Sequence, residues 1–139
     1  MVRSFLDTNV LVYADAADAP DKRARAAIAQ HLRDGSGVIS TQVLHEFVNA
    51  ALRKLLLPLD LVRERVRLFS RFETVAASPA AVLDALDLHA LHRLSFWDAL
   101  IVQAASDSGC AQLLTEDLQA GAVIAGVRVV NPFELSGAS

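Results

Sequence analysis

Acidic side chains occur at positions in this sequence where a carboxylate needs an explanation. Asp7 interrupts "SFLDTNVLVY", an apolar stretch that predicts the end of a strand and the start of a helix. Asp117 follows "AQLLT", a second strand-like run, in which Thr115 is expected to bond its carboxylate or the nearby backbone. Because ligands in open α/β sheets bind outside the carboxyl ends of the strands, both acids are expected at one rim.

Two further acids lie on predicted helices. Asp98 shares a helix face with Ile101, Val102 and Ala105, taking about 100° per residue. A carboxylate on an apolar face is costly unless it is compensated, and the dipole at the first helical turn contributes only about 1 kcal/mol. Glu46 lies just off the edge of the apolar stripe in "TQVLHEFVNAALRKLL", so its placement is ambiguous by itself.

Each acid also has a purely structural interpretation. Asp7 could be a helix cap, and Asp98 could complete a capping box begun by Ser95. Glu46 could be a solvated helix residue, and Asp117 could be a turn residue. If the four converge on one pocket, however, their repulsion requires that a proton or a cation be taken up. Ligation by oxygen alone suits Mg²⁺ or Mn²⁺ rather than zinc.

The elements that must position these acids follow from short apolar runs that alternate with longer periodic segments. Strands alternating with helices predict βαβ units, a parallel sheet and helices on both faces. We expect a single domain over residues 1–135 and a flexible tail over 136–139. The predicted strands are 2–6, 37–40, 74–76, 111–115 and 127–130, and the predicted helices are 9–16, 21–35 (with Pro20 near its start), 42–56, 59–72, 79–94 and 96–108.

Composition limits the classes of function. A chain of 139 residues with 53% hydrophobic residues is expected to form a compact domain. The net charge of −3 argues against a stable nucleic-acid binder that works by counterion release, but not against an enzyme that contacts nucleic acid briefly. A single cysteine, Cys110, allows no internal disulfide. With no membrane-spanning stretch or signal peptide recognised, a cytoplasmic protein is expected.

Other polar and aromatic features are less specific. Arg53 and Lys54, followed by arginines at 63, 65, 67 and 71, form a basic stretch. That stretch is either a solvated face or a rim that contacts phosphates. Phe96 and Trp97 favour core or interface anchors over base-stacking platforms.

Five segments of the sequence form a recognisable set: "FLDTNVLVYA", "HEFVNAALRK", "LSFWDALIVQAA", "LLTEDL" and "VRVVNPF". Together they resemble the PIN-domain ribonucleases and, within them, the VapC toxins of bacterial toxin–antitoxin pairs. The resemblance covers nearly the whole chain and implies a metal-dependent endoribonuclease with a Rossmann-like, three-layer α/β/α sandwich around a mainly parallel sheet. It also implies a homodimer, an RNA substrate and a small antitoxin that plugs the site.

The resemblance assigns roles to individual residues. Asp7 and Asp98 are the first candidates to ligate Mg²⁺ or Mn²⁺, and Asp117 would hold a second ion or its water. Glu116 is a departure from the family pattern, an added acid where basic or neutral residues are frequent. The implied catalytic acids are Asp7, Glu46, Asp98 and Asp117, with Asn9 and Thr115 as supporting polar groups.

Two other functions compete with a nuclease that attacks phosphorus with water and leaves a 5′-phosphate and a 3′-hydroxyl. A phosphatase could use Asp7 as a nucleophile, but it would want a second acid two residues on, where Asn9 stands. A catalytically silent interaction module would keep the fold and only bind a partner.

Overall fold

The computed structural model describes residues 2–16 and 21–134. Its strands are β1 (Ser4–Leu6), β2 (Gly37–Ser40), β3 (Glu73–Val75), β4 (Gln112–Leu114), β5 (Val123–Ile124) and β6 (Val127–Val130). Its helices are α1 (Thr8–Tyr13), α2 (Asp21–Asp34), α3 (Thr41–Arg53), α4 (Leu59–Phe69), α5 (Pro79–His92) and α6 (Phe96–Asp107). The Pro20 position and the expected tail at 136–139 lie outside the described residues.

The strands form one six-stranded sheet in the order β3-β2-β1-β4-β6-β5. All pairings are parallel except that of β5 with β6, which is antiparallel. The helices α1 to α4 pack against one another, while α5 packs on α6, which contacts β2, β4 and β6. The predicted α/β class, with a mainly parallel central sheet flanked by helices, is confirmed.

Side-chain caps explain where three of the helices begin. Ser40, Ser78 and Ser95 each place a side-chain oxygen on the backbone N–H three residues later, which caps α3, α5 and α6. Pro79 at the first position of α5 was also predicted. The central strands β1 and β2 are buried at every residue, as continuous apolar runs in a parallel sheet require.

Several helix ends differ from the sequence prediction. Helix α3 ends at Arg53 rather than at residue 56, because Leu56 adopts a left-handed φ of 52° that cannot continue the helix. Helix α5 likewise ends at His92, since Arg93 has a φ of 56°. Helix α4 ends at Phe69, three residues before its predicted end.

Strand β5 was not predicted. It is two residues long and pairs with β6 through Ala125 and Gly126, which have φ values of 51° and 80°. Two central residues with positive φ form the turn that matches the twist of a hairpin. The sequence lacks the asparagine or aspartate that usually begins such a turn, so the signal was missed.

Candidate metal-dependent active site

The candidate site lies at the carboxyl edge of the sheet, between β1 and β4. These neighbouring parallel strands align Leu6 with Leu114, so Asp7 and Thr115 leave the sheet side by side. Strands β2 and β3 lie on one side of β1, and β4 and β6 lie on the other. Ligands of open α/β sheets bind where the strand order reverses in this way.

Asp7 is buried at this edge, with 6% of its surface exposed. Its Oδ1 accepts a hydrogen bond from the backbone N–H of Thr8 at 2.7 Å, so the side chain also caps α1. Burial raises the pKa of Asp7 to about 6, and hydrogen bonds from Thr8 and Thr115 oppose the rise, while the charges of Asp117 and Glu46 add to it. The structure therefore gives this carboxylate a capping role and also leaves it incompletely compensated.

Thr115 connects Asp7 to the other side of the site. Its hydroxyl donates to Asp7 Oδ2 at 2.8 Å and accepts from Asn9 Nδ2 and from the backbone N–H of Asp117, both at 3.1 Å. One donor and two acceptors exhaust the capacity of a hydroxyl. Asn9 Nδ2 also donates to Asp117 Oδ2 at 3.1 Å. Of the two partners expected for Thr115 near Asp117, the structure shows the backbone rather than the carboxylate.

Glu46 approaches the same edge from α3, as an exposed residue. Its Oε1 accepts from Thr8 Oγ1 at 3.4 Å and from Gln42 Nε2 at 3.1 Å. A cavity of about 500 Å³ opens beside it, which we call the acidic cavity. The residues that line the acidic cavity are Thr8, Asn9, Val12, Tyr13, Glu46, Asn49, Ala50, Lys54, Glu116 and Asp117.

Asp98 is half-buried in the first turn of α6, on the face that also carries the buried Ile101, Val102 and Ala105, as predicted. The Ser95 hydroxyl accepts from its backbone N–H at 3.1 Å, so the predicted capping interaction is present. Burial raises the pKa of Asp98; a hydrogen bond with Ser95 opposes the rise, and the charge of Asp117 adds to it. Asp98 thus shares an electrostatic environment with Asp117.

The acids are electrostatically coupled but are not gathered into a tight cage. Within residues 2–16 and 21–134, no three His, Cys, Asp or Glu side chains are grouped so that they could hold a metal ion. Mg²⁺ usually binds through one or two carboxylates and keeps several waters, so this arrangement still suits it. Asn9 Oδ1 is buried and has no hydrogen-bond partner in the described part of the chain, which leaves an oxygen available to such a water. The residues present therefore fit a hydrated, oxygen-ligated divalent cation.

The positions of two further side chains at the site, Glu116 and Trp97, were not predicted from the sequence. The Tyr13 hydroxyl donates to Glu116 Oε1 at 2.6 Å, so the extra acid noted in the sequence is held against α1. Trp97 is 64% exposed, so of the two predicted roles, core anchor or interface anchor, the core role is wrong for this residue and the interface role stays a prediction. It lines a second cavity of about 500 Å³, which meets the acidic cavity at Glu46.

Comparison with known proteins agrees with this geometry. Residues 4–123 match the PIN domain. This chain belongs to the PIN domain family. Comparison with curated protein sequences gives no match.

Solved structures share the PIN fold over most of the chain. A toxin–antitoxin complex from Klebsiella pneumoniae is 22% identical with a TM-score of 0.70, and covers 95% of this chain and 99% of its own. FitAB bound to an IR36 DNA fragment is 20% identical with a TM-score of 0.71, and covers 96% of this chain and 97% of its own. Mycobacterium tuberculosis VapC20, described as a sarcin–ricin loop cleaving toxin, is 18% identical with a TM-score of 0.68. It covers 82% of this chain and 91% of its own.

The described helices of this PIN domain do not have the length and composition of a membrane span. In the parts of the chain that the structure describes, none is both long and apolar enough to cross a bilayer.

Proposed function

We propose that this PIN domain is a Mg²⁺- or Mn²⁺-dependent endoribonuclease of the cytoplasm and the toxin of a toxin–antitoxin pair. The observation that carries the proposal is the buried Asp7 carboxylate at the switch point of the sheet. Its pKa is raised to about 6, and a hydrogen-bond chain through Thr115 and Asn9 ties it to Asp117. Perturbed carboxylates at such a crevice are typical of functional sites.

The proposed roles are those that the family resemblance implies, and the hydrogen bonds around Asp7 support them. Asp7 and Asp98 would hold the first cation, and Asp117 would hold a second ion or its water. Asn9 and Thr115 keep Asp7 and Asp117 at a fixed separation through their hydrogen bonds. A bound divalent cation supplies charge neutralisation on the phosphate and lowers the pKa of water.

The attacking water is oriented by an acid with a free approach to solvent. Glu46 and Asp117 both line the acidic cavity and are exposed, so either can accept the proton of a water within it. The nucleophile is water rather than the ribose 2′-hydroxyl, so no cyclic phosphate forms. With the new bond to phosphorus made and the P–O3′ bond broken, the products carry a 5′-phosphate and a 3′-hydroxyl. Asp7 is less suited to this proton transfer, because its burial leaves it little contact with the water in the cavity.

Partners are proposed on the same basis. Structural neighbours include toxin–antitoxin complexes, among them VapBC from Salmonella typhimurium bound to DNA, with a TM-score of 0.63. We extend this to a cognate antitoxin for the present chain. A homodimer is also proposed, supported by exposed apolar side chains on α5 and at the start of α6: Leu83, Leu86, Leu91 and Trp97.

The test is cleavage of a 5′-labelled single-stranded RNA by the purified protein with Mg²⁺, with Mn²⁺ or with a chelator. We expect cleavage with either metal, none with the chelator, and fragments that carry a 5′-phosphate. Asp7→Asn should abolish cleavage, while Asp84→Asn, an exposed change on α5, should leave the rate unchanged. Equal rates for Asp7→Asn and the parent would show that the assignment is wrong.

A catalytically silent PIN module is the second candidate, because the described residues contain no ready-made three-ligand metal site. The same assay separates the two functions. A silent module predicts no metal-dependent turnover of any RNA, although it would still bind its partner.

A further inference from the structure

The acidic cavity is an unfavourable place for a polyanion unless something besides the metal offsets its charge. Glu46, Glu116 and Asp117 all line it. Among the described residues that line it, the only Lys or Arg is Lys54. Lys54 is therefore the protein's own positive charge in this cavity.

The backbone of Lys54 is held in place while its side chain remains exposed. The residue caps the C-terminus of α3, and its N–H donates to Ala50 O at 2.8 Å. Within the described part of the chain, its ammonium group makes no ion pair or side-chain hydrogen bond. The charge is consequently available to a ligand in the cavity.

The rest of the basic stretch does not share this position. Arg65 is engaged by Asp15 in a bidentate ion pair, with Nε–Oδ2 at 2.8 Å and Nη2–Oδ1 at 2.9 Å. Arg53 is exposed beside Lys54 but does not line the cavity. Of the residues in the basic stretch, only Lys54 lines the acidic cavity.

Helix α3 presents a second suitable group on the same wall. Asn49 is exposed and lines the cavity between Glu46 and Lys54. Residues 46, 49, 50 and 54 fall on one side of a helix, because neighbours on a helix face are three or four apart. An amide donor and an ammonium spaced along one helix wall can follow a sugar–phosphate backbone past the catalytic acids.

We propose that Lys54 binds a backbone phosphate of the RNA strand next to the scissile one, with Asn49 beside it. This inference rests on the proposed nuclease function and makes Lys54 a positioning residue that takes no part in the chemistry. A lysine ammonium acts as a point charge on phosphate, which an arginine can replace. Because the contact is ionic, it contributes to binding through counterion release and does not depend on base sequence.

Binding is measured without added metal, with the Asp7→Asn protein, which is expected to hold RNA without cutting it. The Kd of a single-stranded RNA oligomer is recorded against salt with Lys54→Gln, Lys54→Arg or Lys22→Gln added. Lys22, the chain's other lysine, is exposed on α2 and serves as the matched control. We expect Lys54→Gln to weaken binding about three- to fivefold and to lower the slope of log Kd against log salt by about 0.7.

The control variants sharpen the result. Lys54→Arg should restore most of the affinity and the slope, and Lys22→Gln should change neither. In the cleaving protein, Lys54→Gln should raise KM and leave kcat and the product ends unchanged, as expected for a contact equally strong in ground and transition states. A fall in kcat at constant KM would overturn the positioning role.

The outcomes separate this inference from the proposed function. If the parent cleaves RNA but Lys54→Gln binds it exactly as Lys22→Gln does, the Lys54 contact is refuted and the nuclease stands. If the parent cleaves nothing but the salt slope still falls with Lys54→Gln, the phosphate contact stands and the nuclease does not. Displacement of the oligomer by inorganic phosphate at equal phosphate concentration would show a site for small anions and would overturn the assignment to a strand.

Discussion

Replacement of Asp7 by Asn should stabilise the metal-free protein above neutral pH while removing its proposed activity. A pKa that rises from 3.8 to about 6 on folding costs about 3 kcal/mol once the carboxylate is ionised, at about 1.4 kcal/mol per tenfold change in proton affinity. Asparagine removes this cost. The amide of the new side chain faces the Thr115 hydroxyl, which already accepts two hydrogen bonds. This mismatch destabilises the variant by about 1 kcal/mol.

The dependence on pH follows from the direction of the shift. The folded protein binds the Asp7 proton more tightly than the unfolded chain does, so this group stabilises the fold most at low pH. Its contribution is lost as the pH rises from about 4 to about 6 and is constant above that. The advantage of Asp7→Asn should therefore grow across this range to about 2 kcal/mol, whereas below about pH 4 only the mismatch is left and the variant should be less stable than the parent by about 1 kcal/mol.

The assay is urea unfolding in a chelator at several pH values, for the parent, Asp7→Asn and the exposed control Asp84→Asn. Saturating Mg²⁺ should then stabilise the parent more than Asp7→Asn, because the variant has lost one of the two proposed ligands of the first cation. The reasoning is refuted if Asp7→Asn is less stable than the parent at pH 8, or if the difference between them does not vary with pH.

Two further substitutions test the contacts around the site. Thr115→Val removes the hydroxyl that joins Asp7 to Asn9 and Asp117, so it should lower the free energy of unfolding in urea by about 2–3 kcal/mol and slow RNA cleavage. Thr115→Ser keeps the hydroxyl and should retain the stability and the cleavage rate. Equal stability of the Val and Ser proteins would contradict the hydrogen-bond network. Arg65→Met leaves the Asp15 carboxylate buried and unpaired, so it should lower the free energy of unfolding in urea by about 3 kcal/mol. As a control, Arg63→Met at an exposed position of α4 should change that free energy by less than about 0.5 kcal/mol.

Much of the fold was predictable because its signals are local. The apolar run before Asp7 predicted β1, and the pairs Ser78–Pro79 and Ser95–Phe96 predicted the starts of α5 and α6. Helix ends were predicted less well, since the left-handed backbone at Leu56 and Arg93 has no glycine to announce it. The β5–β6 hairpin was missed because its turn begins with Ala125 rather than with an asparagine or aspartate, although Gly126 follows.

The candidate site was predictable to the extent that its members are locally anomalous. A carboxylate at the end of an apolar strand, or on the apolar face of a helix, is recognisable without a structure because burying it is costly. This reasoning selected Asp7 and Asp98, which the structure shows buried and half-buried with raised pKa values. Glu46 carries no such anomaly and depended on the family resemblance.

The sequence by itself determined which side chains carry oxygen ligands and which elements deliver them, since both follow from residue type and the spacing of apolar positions. Only the tertiary structure decided that the Thr115 hydroxyl serves Asp7, that Arg65 is engaged by Asp15, and that Lys54 alone among the described lysines and arginines lines the acidic cavity. Such pairings join residues far apart in the chain. They depend on strand order and on desolvation, which is a property of everything packed around a group rather than of its neighbours in sequence.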